Sequence, residues 1–211
     1  MRGMAIPTRR YRGVSAEQRH HERRERLLDA GLDLLGTEGW ARTTVTAVCA
    51  RARLTERYFY QSFPSREHLL VAVFDRIAGE AAEVVLAAVA GAPHDARARA
   101  RAAIAAYVEL VTDDPRKGRI TLLEALGCEA LETRRRQTLH TFAQLVAVQA
   151  RSFYGPAVAS RRDVELTAHF LVGGLAELLI AWLQGGLEIS RDQLVDHCAA
   201  LFVAAAQIPG G

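Results

Sequence analysis

The sequence predicts an all-α protein of about nine helices, and three observations carry that expectation. Apolar residues recur at three- and four-residue spacing along most of the 211 residues. These runs begin after Ser, Thr or Asp and stop at Gly or Pro, the usual punctuation of helices. No stretch alternates polar and apolar residues with period two, and no Asn-Gly pair offers a hairpin turn. Half of the composition is hydrophobic, enough to fill a substantial core at this length.

Residues 1–14 read as a basic arm with Arg9, Arg10 and Arg12 close together: either a solvated tail or an extension that reaches a minor groove or phosphate. Ser15-Ala16-Glu17-Gln18 resembles a capping box and opens a first helix to about Leu35, which Gly36 and Gly39 end. Thr44 caps a second helix whose apolar positions Val45, Val48, Cys49 and Ala52 form one buried stripe. Arg53 occupies the turn that follows, Leu54 enters the core, and Thr55 caps a third helix. On that helix Glu56, Arg57 and Tyr58 face outward and Phe59 falls inward. Two short helices joined by a tight turn suit a major groove, where the first residues of the second helix meet base edges.

Trp40 is expected under this motif as a core aromatic. Ser65 caps a fourth helix that carries Leu69, Leu70, Val73, Phe74 and Ile77 and continues to about Ala90, a stiff link rather than a flexible one. Gly91-Ala92-Pro93 breaks the chain. A fifth helix runs from Asp95 to Val111 and is stopped by Thr112-Asp113-Asp114-Pro115; a sixth, shorter helix runs to about Leu126, and a seventh from near Glu129 to Tyr154, ended by Gly155-Pro156. The eighth spans about Arg161 to Gln184 and the ninth Ser190 to about Gln207.

Charge divides the chain where the motif does. Up to Arg66 there are 13 Arg against 7 acidic residues, a net of +6; beyond it 14 basic face 17 acidic residues, a net of −3. A basic end on the helix-turn-helix is what phosphate contact requires. Cys49, Cys128 and Cys198 lack metal-ligand spacing and read as small buried apolar side chains, with a thiol sensor as the alternative. The N-terminal charge precedes no apolar run, so no signal peptide is expected, and no membrane span either. The expected compartment is the cytoplasm. His20-His21 point in different directions on a helix and suit a solvated face better than a metal; His140, His169 and His197 read as standing alone. No phosphate loop, paired carboxylates or partnered nucleophile occurs, so neither catalytic residues, metal nor cofactor is expected.

The residues Leu27-Leu28-Asp29-Ala30 with Leu34-Leu35, Glu38-Gly39-Trp40, Thr43-Thr44, Leu54-Thr55, Tyr58-Phe59-Tyr60, Phe63-Pro64-Ser65 and Leu69-Leu70 together resemble the DNA-binding domain of the tetracycline-repressor, or TetR-like, family. The match covers roughly residues 20–75 in one register. The remaining two-thirds is similar only in length and helical layout. One residue departs: the family usually has Gly in the inter-helix turn where this chain has Arg53. If φ is positive there, the side chain costs on the order of 1 kcal/mol. The resemblance implies a DNA-binding domain over 15–75, motif 44–63, and a ligand-binding and dimerisation domain over 76–211.

It further implies a homodimeric repressor on a palindromic operator in double-stranded DNA, released by a small molecule, with an activator or an inducer-free repressor as alternatives. A helical enzyme or ligand carrier with a basic N-terminus is the rival from another class. Carried over by the match, Arg42, Thr44, Thr55, Glu56, Arg57, Tyr58, Tyr60 and Arg66 form the DNA surface. Arg57 is placed to read a guanine and Glu56 to accept from a cytosine amino group, with Arg42, Arg66, Thr44, Thr55 and Tyr60 on phosphate. Tyr107, Phe142, Gln144, His169 and Glu177 are candidates to place polar or aromatic groups around an apolar effector cavity suited to a hydrophobic or aromatic molecule. Glu177, a carboxylate amid Leu and Ile, must be exposed, paired or facing the ligand. The eighth helix is apolar around most of its circumference, so a partner subunit is expected to cover Leu171, Leu175, Leu178 and Trp182, together with Leu194, Cys198, Leu201 and Phe202 of the ninth helix. Gly173 and Gly174 permit close helix approach there.

Overall fold

The computed structural model describes residues 15–155 and 161–205, which form helices without a strand. The basic arm, Pro156 and the end of the ninth helix beyond Ala205 lie outside the described residues.

Helix α1 (Ala16–Glu38) starts where the Ser15 hydroxyl accepts the Gln18 amide at 3.0 Å, and stops at Gly39, whose φ of 85° suits glycine. Gly36 does not end it. That glycine is buried within the helix because α6 crosses there: a Cβ at this position would lie 2.4 Å from Cβ of Arg116 and 2.9 Å from its Cα. Helix α2 (Val45–Ala52) is capped by Thr44, which accepts the Ala47 amide, and buries Val48, Cys49 and Ala52, with Val45 partly covered beside them. Arg53 follows in the left-handed conformation at φ 53°, and Leu54 packs partly buried on the core. Two backbone carbonyls at this end, those of Ala52 and Arg53, accept from Nη2 of Arg26 on α1, at 2.5 and 3.3 Å. A cation therefore satisfies and offsets the negative end of α2 beside the strained turn.

Helix α3 (Glu56–Ser62) begins at Thr55, although the Thr55 side chain makes no capping hydrogen bond. Helix α4 (Arg66–Gly91) starts at Ser65, which accepts the His68 amide. Leu69, Leu70, Val73, Phe74 and Ile77 of α4 close a core with Leu27, Leu28, Leu34, Leu35, Phe59 and Phe63. The same core continues into Ile120, Ala125, Cys128 and Leu131, so the helix-turn-helix is sealed by residues far along the chain.

Helix α5 (Ala96–Asp113) is capped by Asp95. The expected sixth helix is broken into three pieces. Helix α6 (Pro115–Gly118) has proline at its first position and Asp114 as cap; a π-helical turn (Arg119–Leu123) and a 3₁₀ turn (Glu124–Leu126) follow. Gly118 allows this departure, since a Cβ there would meet the Val111 carbonyl oxygen at 2.4 Å. Helices α7 (Glu129–Tyr154), α8 (Arg161–Leu183) and α9 (Arg191–Ala205) complete the bundle. Residues of α5, α8 and α9, among them Ile104, Val108, Leu179, Leu194 and Cys198, share a second core, and Ala143, Ala147 and Ala168 let α7 and α8 approach closely. By length and apolar content alone Arg162–Leu183 is sufficient to cross a bilayer; here its apolar residues are divided between the cores and one open face.

Substituting Gly36 with Ala forces a methyl group into the α1–α6 crossing. Thermal unfolding should show a loss of about 1–3 kcal/mol from overpacking. An unchanged melting temperature would mean that the two helices part without cost.

Candidate DNA interface and effector cavity

Phe59 and Phe63 anchor α3 in the core, and that anchoring turns its other residues to solvent. Glu56, Arg57, Tyr58 and Tyr60 are exposed together with Arg42, Thr44 and Thr55, forming one continuous outward surface. Among the described residues no carboxylate pairs with Arg42 or Arg57, so both guanidinium groups are free for phosphate or a base. The other positions are more engaged. Glu56 accepts from the Thr46 hydroxyl at 2.9 Å. The Arg23 guanidinium lies 4.6 Å above the Tyr58 ring and holds that ring in place from α1. Arg66 stacks 4.8 Å over Trp40 and reaches Glu67 at 3.3 Å. Trp40 is only partly buried, and its amide donates to Glu124 at 3.0 Å.

A cavity of about 120 Å³ lies between α4, α5, α7, α8, α9 and the π turn. Tyr107 and Phe142 line it, with ring centroids 6.4 Å apart. Gln144, His169 and Glu177 do not. Gln144 and His169 are exposed, and the Glu177 carboxylate, also exposed, accepts from Arg135 at 2.8 Å. The register of α7 and α8 explains this: Ala143, Ala147, Ala168 and Ala176 take the inward positions, which turns their polar neighbours outward. His140 and His169 do not stand alone either. Their ring nitrogens approach to 2.9 Å across α7 and α8, with Gln144 3.0 Å from His140. Among the described residues no group of three or more His, Cys, Asp or Glu is placed to hold a metal ion.

Sequence reasoning missed Arg135, Thr121 and Thr138, which supply the polar lining beside Tyr107. Arg135 falls within the run Arg134-Arg135-Arg136, which has the look of a solvated charge cluster; only the rotation of α7 shows that its middle member is turned inward. The buried Tyr107 phenol is pushed up to about 12 by loss of solvent, with opposing contributions from the Thr121 hydroxyl and the Arg135 charge. It remains a neutral hydroxyl under ordinary conditions. All three cysteines are buried and unpaired, and burial raises the Cys49 and Cys198 thiols, which disfavours the reactive thiolate.

Several residues expected at a subunit interface are occupied within this chain. Leu194 and Cys198 are buried in its own core, Leu175 lines the cavity, and Leu171 is half-buried. Leu178, Trp182 and Phe202 pack on the same core, and the Trp182 indole donates to the Ile189 carbonyl at 2.9 Å. Of that set Leu201 is open, at 49 % exposure. The larger open apolar side chains on these two helices are Leu166 at 62 % and Phe170 at 79 %, one turn apart and followed by Gly173 and Gly174, where nothing lies within 4 Å of an added Cβ.

Residues 27–73 match the family described as bacterial regulatory proteins, tetR family. No curated protein sequence matches the chain. The fold is shared with many solved structures. A TetR-like transcriptional regulator from Rhodococcus sp. RHA1 is 22% identical, with 86% of this chain and 93% of that one covered and a TM-score of 0.64. A tetR-family transcriptional regulator from Streptomyces coelicolor is 19% identical over 88% of this chain and 80% of that one, with a TM-score of 0.67. The transcriptional regulator FadR from Bacillus subtilis, in complex with stearoyl-CoA, is 16% identical over 86% and 98%, with a TM-score of 0.70. The family match thus falls on the helix-turn-helix segment, and the chain as a whole shares the fold of these solved structures.

Arg57→Ala should relax preference at one base pair and cost about 1–3 kcal/mol on the preferred duplex. Arg42→Ala should weaken every duplex alike and flatten the salt slope by about one unit. Both are read from mobility-shift titrations at several salt concentrations. Wild-type behaviour of both variants would place the DNA surface elsewhere.

Proposed function

We propose that the protein is a cytoplasmic, non-enzymatic homodimeric repressor that binds a palindromic operator through α3 and is released when a small apolar molecule occupies the cavity. The observation that carries this reading is a shared set of residues. Phe74 and Ile77 of α4 belong to the core beneath the helix-turn-helix and also line the cavity. A ligand in contact with them touches the packing that positions α3.

A second connection runs through the π turn. Thr121 and Leu122 face the cavity, while Arg119 of the same turn donates to the Thr37 carbonyl at 2.6 Å and to Glu124 at 2.9 Å. Glu124 in turn accepts the Trp40 amide. Displacement of this turn by a ligand therefore pulls on the end of α1 and on the loop that leads to α2. Asp33 adds a third link, since it pairs with Arg51 of α2 and with Arg116 of α6, the latter at 3.4 Å. These are partly exposed ion pairs of small worth individually, and they act as direction-setting contacts on a junction held by buried apolar surface.

Release requires geometry as well as contact. Two recognition helices must sit about 34 Å apart to enter successive major grooves, so a small rotation of α4 in each subunit takes them out of register. The ligand must favour the non-binding state by several kcal/mol, since equal affinity for both states shifts nothing. FadR's stearoyl-CoA complex is consistent with ligand binding on this fold.

The face around Leu166, Phe170, Gly173 and Gly174 is the proposed dimer seam, with Leu201 beside it. Phe170→Glu should give a folded monomer by light scattering and lower operator affinity at least a hundredfold, because one half-site contact replaces two. A dimeric Phe170→Glu variant with unchanged affinity would remove α8 from the interface. Repressor release is tested by titrating an operator, selected by enrichment from random duplexes, with and without candidate effectors. If no effector that binds the protein alters operator affinity, regulation by this cavity is excluded while DNA binding stands.

A further inference from the structure

We infer that the effector is a monocarboxylate with an apolar body of about one ring, and that Arg135 holds its carboxylate. The inference rests on the cavity being the effector site proposed above.

Among the described residues the cavity wall is almost wholly apolar, its one charged side chain is the cationic Arg135, and no Asp or Glu lines it. The Arg135 side chain is only 12 % exposed; among the described residues its Nη2 donates to Glu177 and its buried Nε has no partner. Glu177, 68 % exposed, pairs with the Nη2 edge of the guanidinium and leaves the buried Nε without an acceptor. A buried charged donor left unsatisfied is costly, and an incoming anion removes that cost. A planar carboxylate fits a guanidinium edge better than an alcohol or amide, which offers one acceptor and no charge.

The neighbouring polar groups agree with an acceptor-rich ligand head. The Thr121 hydroxyl donates to the Lys117 carbonyl at 2.8 Å, next to the Tyr107 phenol. Tyr107 stays protonated beside Arg135, so it adds no negative charge to repel a carboxylate. Thr138, one turn along α7, offers a further hydroxyl. Size sets the apolar part. A cavity of about 150 Å³ admits benzene in another protein, so about 120 Å³ suits one aromatic ring or a short branched chain. Phe142 and Tyr107 supply aromatic contact for such a body.

The test is calorimetric titration of the full-length protein with phenylacetate and with its neutral analogue 2-phenylethanol. Phenylacetate should bind at least tenfold more tightly. Arg135→Gln should abolish that difference while 2-phenylethanol binding persists, which shows the cavity intact. Arg135→Lys, which keeps the charge and loses Nε, should retain part of the preference. Equal affinity of the two probes, or a preference that survives Arg135→Gln, overturns the carboxylate inference and leaves the cavity reading standing. Ala103→Phe fills the cavity and should abolish both; phenylacetate binding that survives it would show that the cavity is not the effector site. No binding of either probe to the wild type overturns the ring-sized carboxylate.

Discussion

The DNA-binding helices of this protein have no core of their own to close. Phe59 of α3 and Phe63 just after it are buried with residues of α1 and α4, and the cluster that seals them extends to Ile120, Ala125, Cys128 and Leu131. Burial of these side chains, at about 25 cal/mol per Å² of apolar surface removed from water, is non-directional but not divisible. The same methyl and phenyl groups cannot pack tightly in two arrangements at once. Packed interfaces tend to be bistable rather than elastic, so under the proposed mechanism a ligand that repositions Phe74 or Leu122 would be felt at α3 as a shift of a whole element. A continuous α4 and a glycine-permitted α1–α6 crossing, with no flexible linker between them, keep that shift from being absorbed on the way.

The proposed DNA surface is built by locally satisfied caps and one strained turn. Thr44 and Ser65 cap their helices with hydroxyls, whereas Thr55 does not, and α3 is held by its aromatic anchors instead. The left-handed Arg53 costs on the order of 1 kcal/mol relative to glycine. Arg26 offsets it by satisfying carbonyls on both sides of the turn. Strain at a motif that must present one helix rigidly is tolerable when neighbouring contacts leave the backbone no alternative.

Helix number, most boundaries and the helix-turn-helix were legible because caps and breakers are local signals. Ser15, Thr44, Ser65 and Asp95 each sit where a hydroxyl or carboxylate meets free amides, and Gly39 and Gly155 both adopt positive φ at helix ends. The segment 115–126 was not legible, since π and 3₁₀ turns answer to the crossing of α1 at Gly36 rather than to residue preference. Which face of α7 and α8 points inward was likewise hidden. On an apolar helix with scattered polar residues, a rotation of one position exchanges Glu177 or His169 for Ala176 or Ala168. Only packing against small alanines chooses between them, and Arg135 was concealed inside an arginine run for the same reason.

In the proposed mechanism one dimer places two recognition helices one turn of DNA apart, and occupancy of the cavity changes this spacing. Spin labels at Gln61→Cys, on the exposed side of α3, would report it as an inter-subunit distance. A narrow distribution near about 34 Å on operator DNA, shifted or broadened by bound effector, is the predicted result. A distribution unchanged by effector, or no inter-subunit signal at all on operator DNA, would contradict it.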